Sequence, residues 1–372
     1  MDKKRSKLMI LLMEVALLVT GCWDSIRITE LNLATMVILD KQGEEFTFTV
    51  ELPKILPNTA EGSGSGPKNV YVKGTGLSLP KARDDVEAHL EKPLYLGTVR
   101  TLVITESASQ NDLAEYMFRL REDASYRQKV ILTTTREDPA ALVGFEEESD
   151  SPRGFAVDNL LASTVESGRT YAKTTSRYVG DILNGRGFVV HCIGLQDKQL
   201  VLTGYSIFRN AKCIGFIPVE EANGLVFMLA KDPTWVYRVP FGGDNATVKV
   251  KVAKKKIIPS YQEGTVRFSV QFEFEAIVQY VSQVRLFPLD EQAMQEISQN
   301  LQQMLENELR MTIERSQKEF QSDYLLFSEE FRIAYPDVYE GMNWTEEYPK
   351  AQIGLQTKVD IYVSKKMDFE PK

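Results

Sequence analysis

The chain has 372 residues, 43% of them hydrophobic, and a formal net charge of −8. That length suggests two or three domains, each able to bury an ordinary core. The acidic balance excludes electrostatic attraction to nucleic acid or to anionic lipid headgroups.

The first residues read as a targeting signal. Lys3, Lys4, Arg5 and Lys7 form a positive region, and Leu8 to Val19 is a short apolar run interrupted only by Glu14. A secretory signal has this order of charge, short apolar run and small residues. The run is too short to span a bilayer, which needs about 20 apolar residues. A charge at a helix centre costs roughly 2.5–3.5 kcal/mol of insertion energy, so Glu14 is the one blemish. Val19, Thr20, Gly21 and Cys22 follow. This is the bacterial lipobox pattern. It predicts cleavage between Gly21 and Cys22 and lipid attachment at Cys22, making residues 1–21 the signal peptide. Loss of the signal removes Lys3, Lys4, Arg5 and Lys7 with Asp2 and Glu14, which takes the net charge from −8 to −10. No second apolar run of spanning length follows, so the body is expected to be soluble and held by lipid. A diacylglycerol group supplies the two chains that stable anchoring takes.

Ala34 to Asp40 and Phe46 to Leu52 predict a hairpin turned at Lys41 to Glu44, the second strand half-buried by its alternation. The tether from Cys22 extends no more than roughly 40 Å, so the first domain is expected close to the membrane. Pro57 to Pro67, centred on Gly62 to Gly66, is a flexible surface loop. It neither follows a strand nor opens a helix, which argues against a phosphate loop.

From Val70 strands and helices alternate. Val70 to Lys73 predicts a strand, and Leu79 to Leu90 a helix with Ser78 at its N-cap and Pro80 in its first turn. Leu94 to Thr105 predicts a strand region, Asp112 to Arg121 a helix, Val130 to Thr135 a strand and Pro139 to Phe145 a short helix. Such alternation implies an α/β layer. Glu146 to Asn184 is polar and weakly periodic, with a helix suggested only near Asp158 to Ser163.

Strands are predicted again at Phe188 to Ile193, Leu200 to Phe208 and Cys213 to Pro218, then a helix over Glu220 to Leu229 despite Gly224. Thr247 to Ile258 and Thr265 to Tyr280 make a long hairpin turned at Ser260 to Gly264. Leu289 to Phe320 is the longest predicted helix. Its apolar face is Met294, Ile297, Leu301, Met304, Leu305, Leu309 and Ile313, at helical spacing. Ile353 to Val363 closes the chain as a strand. The fold class expected is mixed α/β and α+β, multidomain. An α/β region over 22–195, of one or two subdomains, precedes an α+β domain over 198–368, an antiparallel sheet with one long packed helix.

Chemistry-bearing patterns are sparse. The chain has two histidines, His89 and His191. A zinc site normally takes three or four ligands, and His191 and Cys192 would face opposite sides of a strand. No Gly-x-Ser-x-Gly elbow, P-loop, Cys-x-x-Cys or dinucleotide fingerprint occurs. Runs such as Glu146 to Glu148 read as solvated faces. No catalytic, metal or cofactor-binding residues are assigned, and no nucleic-acid contact. Export permits a disulfide between Cys192 and Cys213, whose geometry sequence leaves open.

Cys22, Trp23 and Asp24, then Ile28, Glu30 and Leu31, then Val37 to Asp40, resemble the start of a known family. The likeness recurs at Leu94 to Gly97, Arg100 and Val103 to Glu106. It returns at Glu319, Phe320 and Asp323, then Arg332, Tyr335, Pro336, Trp344, Tyr348 and Pro349. The chain thus resembles the Ger(x)C family, the C subunits of spore-germination nutrient receptors. It departs where Leu326 to Ser328 replace the family's Gly-rich step, and where Thr98 replaces a usual His. The resemblance implies a three-domain α/β assembly and a non-enzymatic lipoprotein on the outer face of the spore's inner membrane. It also implies two multi-spanning partners, the A and B subunits. A substrate-binding lipoprotein of a transporter is the alternative, opposed by the two unlike halves. A tethered hydrolase is a third, opposed by the scarcity of histidine.

Overall fold

A computed structural model describes residues 27–53, 69–114, 116–118, 126, 129–144, 151–171, 173–281 and 289–363. Cys22 and its signal, the glycine-rich loop, and residues 115 and 119–121 of the helix expected over Asp112 to Arg121 lie outside the described residues.

The first half is built on a parallel core with antiparallel wings. The chain enters through β1 (Asn32–Leu33) and the hairpin of β2 (Met36–Gln42) and β3 (Glu45–Pro53), which β4 (Asn69–Gly76) extends. β5 (Leu94–Tyr95) pairs with β1, and β6 (Thr101–Thr105) runs parallel to β2. The stretch read as one strand region over Leu94 to Thr105 is therefore broken. A turn interrupts it, with the Val99 N–H on the Leu96 carbonyl at 3.0 Å. β7 (Ile131–Thr135) and β8 (Phe188–Gln196) continue the parallel core, and β9 (Gln199–Arg209) and β10 (Lys212–Pro218) fold back antiparallel. The eight-stranded order is β10-β9-β8-β7-β6-β2-β3-β4. Every residue of β6 is buried, as expected of a central strand covered on both faces.

Helices supply that cover. α1 (Leu79–Ala88) buries Ala82 and Val86, with Pro80 in its first turn. α2 (Glu106–Ser109) is capped by the Thr105 hydroxyl, which accepts the Ala108 N–H at 3.2 Å. α3 (Pro139–Gly144) follows β7. The weakly periodic stretch folds into two helices, α4 (Arg153–Glu166) and α5 (Thr175–Leu183), where sequence suggested one short piece. α4 ends at Gly168, whose φ of +70° suits glycine. Its start is fixed from a distance. The Glu51 carboxylate accepts the N–H groups of Arg153 at 2.8 Å and Gly154 at 2.9 Å, along with the Thr35 hydroxyl at 2.6 Å.

The sequence division between residues 195 and 198 runs through the β8–β9 hairpin, whose turn holds Asp197 and Lys198 at φ of 50° and 60°. The eight-stranded sheet draws strands from both sides of that division, because β9 and β10 bond back to β8. Val189, Tyr205, Ile207 and Ile217 then pack into the same buried cluster as the second half.

That half has a four-stranded sheet, β11 (Thr234–Phe241), β12 (Asp244–Gln262), β13 (Thr265–Val281) and β14 (Gln352–Val363), in that order. β11 is a strand that sequence reading omitted. It carries Pro240 within its run and is an edge strand, where proline is tolerated. β12 and β13 form the expected antiparallel hairpin and β11 joins β12 antiparallel, but β14 joins β13 in parallel, where an antiparallel sheet was expected. A long helix between them, α7 (Glu291–Glu314), carries the chain back to the starting end of the sheet. Asp290 caps it by accepting the Ala293 N–H at 2.7 Å. Ile297, Leu301, Leu305, Leu309 and Ile313 on its inner face are buried with Phe268, Phe272 and Phe274 of the sheet. The helix ends in a π-helical turn, Arg315–Glu319. α6 (Asn223–Leu229) crosses α7 at Gly224, where a Cβ would lie 2.3 Å from Thr312 Oγ1 and 2.6 Å from the Glu308 carbonyl oxygen. The glycine inside that helix is thus a packing requirement. Short helices α8 (Phe327–Ala334), α9 (Pro336–Glu340) and α10 (Trp344–Glu347) close the end of the sheet.

Candidate functional site at the junction of the two sheets

α5 begins after Thr174, whose side chain makes no capping bond; Tyr178 and Val179 turn to the core, and Gly185 at φ +62° stops the helix. The Thr175 hydroxyl donates to the Val130 carbonyl, which fixes the helix against the edge of β7. Lys173 before the helix, Asp181 on it and Arg186 after it are thereby brought to one end of the sheet. The second half meets them with the loop that leads into α8. Contact is close: a Cβ on Gly187 would lie 2.1 Å from Ser322 Oγ, and that hydroxyl donates to the Phe208 carbonyl at 3.0 Å.

Between these segments lies a cavity of about 470 Å³, lined by Tyr171, Lys173, Arg177, Asp181, Arg186 and Glu329 among others. Lys173 Nζ pairs with Asp181 Oδ2 at 2.5 Å, and Arg186 with Glu329 at 2.9 Å and Asp181 at 4.0 Å. Burial pushes the Asp181 carboxyl above its ordinary value, and the adjacent Lys173 and Arg186 only partly offset this. Three cations thus face two carboxylates, a local excess of positive charge in an acidic chain.

Other buried carboxylates act as pins between distant segments. Asp40 Oδ1, at the carboxyl end of β2, accepts the hydroxyls of Thr105 and Ser107, each at 2.6 Å. Burial alone would raise this carboxyl, but those hydroxyls and neighbouring bonds outweigh it and hold it below its ordinary value. Asp323 accepts N–H groups from Phe327 at 2.9 Å, Ser328 at 2.6 Å and the Trp344 indole at 2.9 Å. Residues scattered through the sequence likeness therefore meet in space: Asp40 with Thr105, and Asp323 with Trp344. Leu326 takes a left-handed φ of 69°, a conformation that favours glycine. The Thr98 hydroxyl donates to the Ala34 carbonyl at 2.8 Å.

Family comparison decides the kinship. A model described as "Spore germination protein N-terminal domain" matches residues 24–195, and one described as "Spore germination B3/ GerAC like, C-terminal" matches 203–364. The chain belongs to the Ger(x)C family. Among Bacillus subtilis (strain 168) relatives, spore germination protein B3 is 20% identical over 88% of this chain and 89% of its own length. Spore germination protein KC is 21% identical, over 97% of this chain and 95% of its own. The crystal structure of the GerBC protein shares the fold, with a TM-score of 0.56 and 14% identity over 88% of this chain and 96% of that one.

The one site residue assigned from sequence, Cys22, lies outside the described residues. His191 and Cys192 do face opposite sides of β8. His191 stacks on Tyr171 with ring centroids 4.8 Å apart, while Cys192 is close to Thr203 and Thr134. Cys192 and Cys213 are both free thiols. The junction cluster was missed, because Lys173, Asp181 and Arg186 fall in the stretch read as weakly periodic. The signals were present: Thr174 as a helix start, Tyr178, Val179 and Ile182 at helical spacing, and Gly185 as a stop.

Proposed function

We propose that this Ger(x)C chain is a non-enzymatic, lipid-anchored subunit of a spore germinant receptor complex, required for the nutrient-triggered germination response. The observation that carries this reading is the match of both family models, in order, across nearly the whole chain after Cys22. The lipid on Cys22 would hold the body at the outer face of the spore's inner membrane. The partners would be the multi-spanning A and B receptor subunits. A membrane anchor confines the body to a thin layer and raises its effective concentration beside such partners. The buried carboxylates support a structural role, since Asp40, Glu51 and Asp323 each tie separate segments together through several donors.

Two measurements test the reading. Metabolic labelling with a fatty-acid analogue should mark the wild-type chain and spare Cys22→Ala; equal labelling removes the anchor. A pull-down from spore membranes should recover multi-spanning receptor subunits. Recovery of ATPase-linked permeases instead would mean a transporter's binding lipoprotein.

A further inference from the structure

We propose that the outer face of the four-stranded sheet docks on an anionic lipid surface. Strand alternation sends Phe268, Phe272 and Phe274 of β13 to the core and the residues between them outward. Pairing sets the outward residues in rows across the sheet. Val236 of β11 lies opposite Lys249 of β12, Lys249 opposite Ile277 of β13, and Ile277 opposite Tyr362 of β14. Tyr280 stands beside this row, opposite Thr247. Val236, Ile277, Tyr280 and Tyr362 are 54%, 42%, 55% and 57% exposed, so this end of the face is open and apolar. Large apolar groups gathered on one exposed surface mark an interaction site.

Charge identifies the partner. The β-bulge between Val252 and Lys254 brings Lys254 and Lys256 to the same side of β12 as Lys249 and Lys251. Arg238, Arg267 and Lys358 join them from the other three strands. The carboxylates on the face are Glu273, Glu275 and Asp360. Two of them are taken up, Glu273 by Lys254 at 2.7 Å and Asp360 by Lys358 at 2.9 Å. Arg238, Lys249, Lys251 and Lys256 make no ion pair with any described residue. Seven cations against three carboxylates leave four positive charges in excess, on one plane of a chain whose net charge is −8. The acidic balance that argues against attraction to anionic headgroups is thus an average. Local fields decide binding, and the pairing of four strands gathers cations that the average conceals.

The composition of the face suits lipid over protein. Lysine is depleted from protein–protein interfaces, whereas clusters of about four to eight Lys and Arg held at a bilayer bind anionic lipid. Lysine stems lie along apolar surface while their ammonium groups reach phosphate, and tyrosine rings settle at headgroup level. The inference goes beyond the receptor reading and does not rest on it. A lipid on Cys22 would keep the body near the membrane; this face would set which side turns towards it.

The test uses the chain from residue 22 onward with Cys22→Ala, which keeps every described residue and lacks both the signal and the lipid acceptor. It is mixed with vesicles of phosphatidylcholine, or of phosphatidylcholine and phosphatidylglycerol in equal amounts, and the bound fraction is read by sedimentation. Binding should be at least about tenfold tighter to the anionic vesicles. Sodium chloride at 1 M, where the screening length is about 3 Å, should release it. Lys249→Gln/Lys251→Gln/Lys256→Gln should weaken binding at least about tenfold with an unchanged thermal midpoint. Lys81→Gln/Lys212→Gln/Lys318→Gln makes the same change of net charge at exposed positions elsewhere and should bind as wild type. Ile277→Thr/Tyr362→Thr should weaken binding and leave its salt dependence in place. The proposal is overturned if the anionic vesicles do not bind, if neutral vesicles bind as well, or if the two lysine triples behave alike. Binding to polyglutamate but not to anionic vesicles would assign the face to an acidic protein segment and overturn it. Self-association without vesicle binding, lost in the Lys249 triple, would make it an interface between copies and overturn it equally.

Discussion

The Asp323 carboxylate accepts the indole N–H of Trp344 at 2.9 Å, across 21 residues of chain. The same group receives the backbone N–H groups of Phe327 and Ser328, so one side chain fixes both the start of α8 and the docking of α10. Trp344 in turn packs edge-on against Phe268 of the sheet, with centroids 6.3 Å apart. Asp323→Ala would strand three buried donors. Each bond to a charged group is worth about 1.5–3 kcal/mol, so a loss of at least about 3 kcal/mol is expected. Denaturant unfolding measures it, and Trp344→Phe should cost less, since it removes one donor together with its need for an acceptor.

Leu305 and Gln303 lie on opposite sides of α7, the first fully buried and the second exposed. Leu305→Ala should cost about 2–5 kcal/mol through lost transfer energy and the cavity left behind. Gln303→Ala should stay within about 0.5 kcal/mol. The paired readout is the denaturant midpoint and subunit abundance in spores. A normal midpoint for Leu305→Ala with lost germination would make the stripe a partner surface.

Gly224→Ala should destabilise by about 1–3 kcal/mol, the usual cost of overpacking. The new methyl meets backbone at Glu308 as well as the Thr312 hydroxyl. Shrinking the hydroxyl in a Gly224→Ala/Thr312→Ala pair should therefore recover only part of the loss, as thermal melts of the two variants will show.

His191 gives a pH dependence of known sign. Burial pulls its pKa down from 6.5 to about 4. In the window between these values the unfolded chain binds a proton that the folded chain refuses. Stability is therefore present above the unfolded value and lost as pH falls towards the folded one. The expected loss is about 2 kcal/mol between about pH 7 and about pH 5. Urea midpoints should show it in wild type. His191→Phe should lose this component, and an unchanged slope in that variant would exclude His191 as its source.

How much was legible follows from which forces are local. Period and turn chemistry are written in the chain itself. Phe46 to Leu52, Thr265 to Tyr280 and the Leu301, Leu305, Leu309 stripe declared their elements, because one face of each is buried and the other wet. Where a local signal was weak the reading failed. α4 starts at Pro152 without a side-chain cap of its own, because its cap is Glu51, about a hundred residues earlier. β11 carries Pro240 within its run, a weak strand signal, and its edge position makes that proline harmless.

The sequence by itself determined the mixed class of the fold, the long packed helix and the family. Each rests on residues near one another in the chain, or on an ordered set of short motifs. Tertiary structure alone decided the parallel docking of β14, the sharing of one sheet across residues 195–198, and the meeting of Asp323 with Trp344. It also decided the junction cavity. Lys173, Arg186, Tyr324 and Glu329 read as ordinary polar residues along the chain, and two sheets had to pack before burial left Arg186 Nε and the Tyr324 hydroxyl without acceptors. Hydrogen-bond satisfaction and desolvation are properties of the packed state, so no window of sequence displays them.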